Sequence, residues 1–124
     1  MVYVDGFVFT IKKGQLAAYK KMALGAGKMW KKYGALRYVE TVGEEMNPNM
    51  GGMKALTFSK IAKPKAGEKV GFSFIIYKNK AHRNAVNKKV MAEMHKKHDE
   101  WKDMPMPFDM KKMAYGGFES IVNL

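Results

Sequence analysis

Residues 69–77, Lys69-Val70-Gly71-Phe72-Ser73-Phe74-Ile75-Ile76-Tyr77, are the clearest strand in the chain. Val70, Phe72, Phe74 and Ile76 alternate with Gly71, Ser73, Ile75 and Tyr77, the period of two that puts one set on each face of a sheet. Just beyond, Asn79 can cap a helix running from Lys80 into the His95–Trp101 region. The apolar stripe of that helix is Ala85 or Val86, then Val90, Met94, His98 and Trp101, and Met104-Pro105-Met106-Pro107 forbids its continuation.

The same two periods recur upstream. Residues 2–11 are β-branched and aromatic and predict a first strand. Leu16, Tyr19, Ala23, Ala26, Trp30 and Tyr33 then repeat at steps of three and four, an amphipathic helix whose lysines Lys20, Lys21, Lys28, Lys31 and Lys32 fall mostly on the wet side. Gly25 and Gly27 weaken that helix and point to close packing on a sheet, while Gly34 stands where a left-handed C-cap is expected. Residues 35–42 predict a second strand, and 43–53 a loop. Leu56–Ile61 predicts a short strand, ended by the turn Lys63-Pro64-Lys65-Ala66-Gly67. A last strand, Lys112–Val122, carries Gly116-Gly117 in its middle, the mark of a bulge or a close backbone approach.

The order β-α-β-β-α-β predicts a ferredoxin-like α+β domain over 1–124, with an antiparallel sheet and both helices on one face. In the first strand Tyr3, Asp5, Phe7, Phe9 and Ile11 occupy one face and Val2, Val4 and Val8 the other, so neither face is polar. Two helices cover one such face. The simplest cover for the second is another copy of the sheet, which predicts a homodimer.

The composition narrows the function classes. With 124 residues, 47% apolar and 12% aromatic, the chain holds a core of its own. No apolar stretch is long enough to span a bilayer, and no basic segment leads into an apolar one at the start, so neither a membrane nor a secretory signal is expected. The absence of cysteine excludes disulfides and thiol chemistry and fits a reducing cytoplasm. The net charge of +12 invites a nucleic-acid reading, yet only Arg37 and Arg83 among 23 basic residues are arginine. Base-edge recognition leans on the guanidinium fork, so a sequence-specific nucleic-acid partner is not expected. The lysines come as scattered pairs, the pattern of a solvated surface.

Several segments carry a resemblance: Tyr3-Val4-Asp5-Gly6-Phe7, Gly34-Ala35-Leu36, Phe72-Ser73-Phe74 with Tyr77, and Ala81-His82-Arg83. So do Met106-Pro107-Phe108-Asp109 and Met113 with Tyr115-Gly116-Gly117-Phe118. Over nearly its whole length the chain resembles the YbaA-like proteins, small bacterial proteins grouped as a domain of unknown function. The resemblance implies a dimeric α/β barrel, the fold shared with antibiotic-biosynthesis monooxygenases, chlorite-dismutase-like and YciI-like proteins, and implies no activity. Three positions depart from the family pattern: Met110 for glycine, Lys112 for arginine and Phe74 for tryptophan. Lys112 keeps the charge but loses the fork.

Among single residues, Asp5 shares a strand face with Tyr3, Phe7 and Phe9, where an ionised carboxylate needs a partner or a raised pKa. It is the candidate general base, with Tyr115 and His82 as orienting donors; alternatively it pairs structurally with Arg37, Arg83 or a lysine. Tyr77, Asp109, Lys112 and Glu119 are candidate ligand-binding residues, although Asp109 follows Pro107-Phe108 where an aspartate ordinarily caps its own turn. Glu40 is a further carboxylate beside a strand. His95 and His98 lie about one turn apart but lack a third ligand and sit beside Lys96 and Lys97, so no metal is expected. Twelve scattered methionines read as leucine substitutes, and no phosphate loop or serine nucleophile elbow is present, so no cofactor is expected.

Three classes of function remain. The first is a dimer that binds an unknown small molecule or, by analogy of fold, performs cofactor-independent proton transfer or oxygenation. The others are a non-catalytic interaction or regulatory module, and weak non-specific RNA or DNA binding through lysines. The sequence leaves open whether the protein is an enzyme.

Overall fold

The computed structural model describes residues 1–124 apart from the side chain of Trp101. Strand β1 (Tyr3–Ile11) leads into α1 (Leu16–Lys32), β2 (Arg37–Val42), α2 (Phe58–Ala62), β3 (Lys69–Tyr77), α3 (Lys80–Lys96), α4 (His98–Trp101) and β4 (Ala114–Glu119). The four strands form one antiparallel sheet in the order β2-β3-β1-β4. The chain is thus α+β, with β1 and β3 central.

The register sorts every strand residue. Asp5 stands opposite Ile75 on one side and Gly117 on the other; Phe7 stands opposite Ser73 and Tyr115. Glu40 in turn faces Ser73. This odd-numbered face of β1 lies under α1 and α3. It buries Phe9 and Ile11 with Tyr19, Ala23 and Phe108 at one end, and Ile75 and Tyr77 with Ala35, Val86 and Val90 at the other. The opposite face carries Val4, Phe72, Phe74, Ile76 and Phe118. α2 covers only one end of it, where Phe58 meets Phe72 edge-on and Thr10 and Val70 are buried. Even beside α2 Phe72 stays 42% exposed, and elsewhere the face is open, with Phe118 61% exposed.

Local chemistry moves four expected boundaries. Leu56–Ile61 is not a strand: Thr57 caps a helix, its hydroxyl accepting from the Lys60 N–H at 3.2 Å, and this outweighs a short apolar run. The second long helix stops at Lys96, because the Lys97 N–H turns back to the Glu93 and Met94 carbonyls and α4 begins separately. His98 therefore leaves the α3 stripe, and Trp101's side chain lies outside the described residues. The last strand starts late, since the Asp109 carboxylate caps a 3-10 turn over Met110–Lys112. It also ends early, at Glu119 opposite Tyr3, with one further bond from the Ser120 N–H to the Val2 carbonyl at 3.0 Å, close to the start of the chain.

The glycines divide likewise. Gly27 is the point of close packing, since a Cβ there would stand 2.7 Å from the Tyr38 ring, whereas Gly25 meets nothing within 4 Å. Gly34 has φ +113°, the positive value expected after a helix end.

Candidate functional site

Between the sheet and helices α1 and α3 lies a cavity of about 380 Å³, walled by aromatic and methionine side chains, with Asp5 on its floor. Three features of the sequence put the carboxylate there. The alternation of β1 points Asp5 toward the helices, Gly117 opposite leaves that side without a side chain, and Asn79 starts α3 so that Arg83 and Asn87 share one helix face.

Asp5 is 1% exposed. Arg83 Nε lies 3.3 Å from its Oδ1, and Arg83 Nη2 donates to the Tyr3 hydroxyl at 3.0 Å while the guanidinium sits 4.9 Å from the Tyr3 ring centre. The Tyr115 and Tyr77 hydroxyls and Asn87 also interact with the carboxylate. Trp30 Nε1 donates to both the Tyr77 hydroxyl and Asn87 Oδ1, each at 3.1 Å. Asn87 Oδ1 accepts from Trp30 and, at 3.2 Å, from the Tyr77 hydroxyl, so its amide nitrogen is the atom left to donate to Asp5. Phe7 stacks on Tyr115 at 4.8 Å and forms the apolar wall beside them.

Burial pushes the Asp5 carboxyl above its usual range, and the Arg83 charge and the three hydrogen-bonding neighbours only partly oppose this. Burial also raises the Tyr77 and Tyr115 phenols, helped by the Asp5 charge. Both therefore remain protonated donors at neutral pH. The arrangement is a carboxylate able to take up a proton, faced by two phenols and an amide.

A second polar cluster closes the far end of the cavity. Glu40 accepts from Tyr19 at 2.6 Å and from Tyr38 at 2.7 Å. Burial, with the Glu40 carboxylate beside them, raises both phenols far above their ordinary value.

The structure brings together Asp5, Tyr77 and Tyr115, sets the His82 ring edge-on against Tyr77 at 6.0 Å but outside the cavity lining, and places the other candidates elsewhere. His82 Nδ1 accepts the Lys78 N–H at 3.0 Å and its own N–H donates to Asn79, so it finishes the start of α3 and does not line the cavity. Asp109 caps its turn through the Lys111 N–H at 3.0 Å. Lys112 reaches the Lys63 carbonyl at 2.9 Å and approaches Glu68 at 4.0 Å. Glu119 is exposed at the end of β4. Among the described residues no three His, Cys, Asp or Glu side chains gather as a metal site.

Asn87 and Trp30 are the site residues the sequence did not single out. Asn87 falls four residues after Arg83 and next to buried Val86, a spacing that signals a shared helix face. No helix of the described residues is long and apolar enough to cross a membrane.

Comparison with known proteins agrees with this architecture. A family model described as "Protein of unknown function (DUF1428)" matches residues 2–110. The "Uncharacterized protein YbaA" of Escherichia coli K12 is 40% identical over 123 residues, covering 99% of both chains, and YbaA of Shigella flexneri matches to the same extent. Among solved structures, a mutant of SnoaB, a cofactor-independent oxygenase from Streptomyces nogalater, superposes with a TM-score of 0.56. It covers 99% of this chain and 96% of its own at 10% identity, a likeness of fold alone.

Proposed function

This chain belongs to the DUF1428 family, and we propose that it is a small-molecule enzyme in which Asp5 removes a proton from an enolisable substrate without a cofactor. The observation that carries this reading is the burial of Asp5, its pKa raised, on the floor of an apolar cavity among protonated phenols. Asp5 takes the proton from a C–H next to a carbonyl and becomes a neutral acid, while the substrate becomes an enolate. Tyr115 and the Asn87 amide nitrogen are the donors available to an enolate oxygen, while the Tyr77 hydroxyl is spent on Asn87 Oδ1 and holds that amide in place. Return of the proton to a conjugated carbon completes an isomerisation; alternatively, at a CH2 carbon, the enolate carbon would bond to dioxygen as oxidant, the peroxide would take back the Asp5 proton, and loss of water would leave one oxygen atom as a new carbonyl. The fold shared with a cofactor-independent oxygenase supports the class and not the substrate.

The test is hydrogen–deuterium exchange of 2-tetralone in deuterated buffer, followed by proton NMR. Exchange above the buffer rate, lost in a folded Asp5→Asn variant and reduced in Tyr115→Phe, is the expected result. Exchange no faster than buffer, or unchanged in Asp5→Asn, would overturn the assignment of Asp5 as base.

We also propose that the open sheet face pairs with a second copy of the chain, forming a homodimer. Val4, Phe74 and Ile76 with the exposed rings of Phe72 and Phe118 make a continuous apolar surface on the side away from the cavity. A monomeric mass by light scattering at micromolar concentration would contradict it. The lack of cysteine supports a reducing cytoplasm as its location.

A further inference from the structure

The Asp5 cavity has unlike ends. At the near end Tyr115 and the Asn87 amide nitrogen are donors beside the carboxylate. At the far end Tyr19 and Tyr38 each spend their one proton on Glu40, at 2.6 and 2.7 Å, so their oxygens can only accept. A carboxylate offers about four acceptor sites, and the two phenols use one on each oxygen, which leaves each oxygen able to accept again. The cluster as a whole therefore accepts and does not donate. It also walls the cavity off from an outer groove beside α1, with Lys20, Lys28 and Lys31 on the outer side.

Charge repeats the pattern. The chain carries a net +12, yet among the described residues no lysine, arginine or histidine lines the cavity, while Asp5 and Glu40 both do. Arg83 reaches Asp5 from beyond the lining. An anion placed here would meet two carboxylates and no lining cation, and would have lost its water as well.

We propose that the cavity takes an uncharged ketone with a phenolic hydroxyl at the end remote from its carbonyl, the carbonyl side lying at Asp5 and Tyr115 and the hydroxyl donating to Glu40. The proposal rests on the reading of Asp5 as base and adds the class of substrate, with Glu40 as the residue that selects it. A third phenol would repeat the bond that the protein itself makes there twice.

Spacing supports the same class. Asp5 and Glu40 rise from one face of the sheet, on the strands either side of β3 and two residues of register apart. The usual strand spacing and rise make that about 12 Å. A hydrogen bond to Glu40 takes up about 2.7 Å and the approach of Asp5 to a C–H carbon about 3 Å, which leaves about 6 Å between that carbon and the hydroxyl oxygen. This is the length of two fused six-membered rings bearing the hydroxyl. Phe7, Phe9, Ile75 and Phe108 give such a flat body apolar walls. Ser73, opposite Glu40 in register, also lines the cavity, and its hydroxyl serves as either donor or acceptor.

The experiment is isothermal titration calorimetry of the full chain with 6-hydroxy-2-tetralone, 6-methoxy-2-tetralone and the corresponding 6-carboxylate. The hydroxy ketone should bind about tenfold more tightly than the methoxy ketone, which has no proton to donate. The carboxylate, repelled by Glu40, should bind more weakly than either. In Glu40→Gln, whose amide can donate to a methoxy oxygen, the hydroxyl preference should fall to about twofold or less. The ranking in the unaltered chain does not depend on that variant's folding. Equal affinities for the hydroxy and methoxy ketones, a carboxylate bound as tightly as the hydroxy ketone, a preference that survives Glu40→Gln, or no binding of any of the three would each overturn the proposal. The two readings fail separately. A hydroxyl preference that persists in Asp5→Asn, with no Asp5-dependent exchange of 2-tetralone, upholds Glu40 as the selecting residue and removes the base. Asp5-dependent exchange without a hydroxyl preference does the reverse.

Discussion

Gly117→Ala should disturb the site through a single added carbon. Gly117 is absent from the positive-φ glycines, so alanine meets no conformational objection there. Its Cβ, however, would stand 2.2 Å from the Tyr3 hydroxyl and 2.7 Å from Arg83 Nη2, where ordinary contact begins at 3.4 Å. Tyr3 must retreat by about 1 Å and Arg83, bonded to it at 3.0 Å, must follow. If the Arg83–Asp5 separation grows from 3.3 Å to about 4.5 Å, the attraction at an effective dielectric of ~20 falls by about 1.3 kcal/mol, close to one pK unit. Arg83's side chain is 19% exposed, which screens the pair and keeps the loss below that figure, so the Asp5 pKa rises further, but by less than the bare attraction implies.

The sign of the stability change follows from linkage. Asp5 in the fold already titrates above its unfolded value of 3.8, so between the two values the native state binds more protons and stability falls as pH rises. Raising the folded value further extends that loss upward in pH and adds about 1 kcal/mol of destabilisation at neutral pH. Below the unfolded value the ionisation contributes nothing. Carbon-13 NMR of the aspartate carboxyls, assigned with Asp5→Asn, reads the pKa, and urea unfolding at pH 3.5 and pH 7.5 reads the stability. Gly116→Ala is the control, because its Cβ meets only Phe118, at 3.5 Å and on the other face. An equal loss of stability at both pH values with no movement of the Asp5 carboxyl would refute the reasoning, since Arg83 would then not be what holds the charge.

Glu93 gives the opposite pH dependence. Hydrogen bonds from Lys32 and Tyr33, both 2.7 Å, hold its carboxyl down to about 2, so its stabilisation is present above 4.5 and lost as pH falls toward 2. Glu93→Gln should flatten the urea midpoint across that acid window. Gly27→Ala should destabilise the fold by about 1–3 kcal/mol in thermal unfolding, because its Cβ would strike the Tyr38 ring at 2.7 Å. Gly25→Ala, with nothing within 4 Å, should gain up to about 1 kcal/mol from helix propensity. Phe118→Lys, at a ring 61% exposed on the open sheet face, should halve the mass seen by light scattering without unfolding the chain.

What the sequence made legible follows the two periodicities. The alternation at 69–77 and the three-four steps after Leu16 place β3 and α1 because burial enforces those patterns over many residues. The boundaries that moved depend on single polar atoms. The Thr57 hydroxyl turns an apolar run into a helix, and the Asp109 carboxylate delays β4, where composition alone favours strand. The site divides the same way. Asp5, Tyr77 and Tyr115 were visible as polar groups on apolar strand faces, because the register of adjacent strands is implicit in their alternation. Asn87 and Trp30 were not, because contact between α1, α3 and the sheet depends on how the helices lie across it, which no local spacing encodes. His82 shows the converse: expected as an orienting donor, it touches Tyr77 only edge-on, and the first turn of α3 claims its Nδ1 for the Lys78 N–H.

The two faces of β1 answer opposing demands, and each makes the other tolerable. On the helix side, burial of Asp5 withdraws stability as pH rises above the unfolded carboxyl's value, the consequence of holding a carboxyl above its usual range. On the open side, alternate residues of the same strand leave Val4 and Gly6 beneath the Phe118 ring, which a Cβ on Gly6 would meet at 3.3 Å. Pairing of that face with a second copy would add stability by mass action, increasingly as protein concentration exceeds the dissociation constant, and would do so without touching the cavity. A carboxyl buried with its pKa raised and an apolar sheet face left open by the single chain would then be parts of one balance. Dimerisation on the one face, as proposed, would offset the stability that the buried carboxyl withdraws on the other.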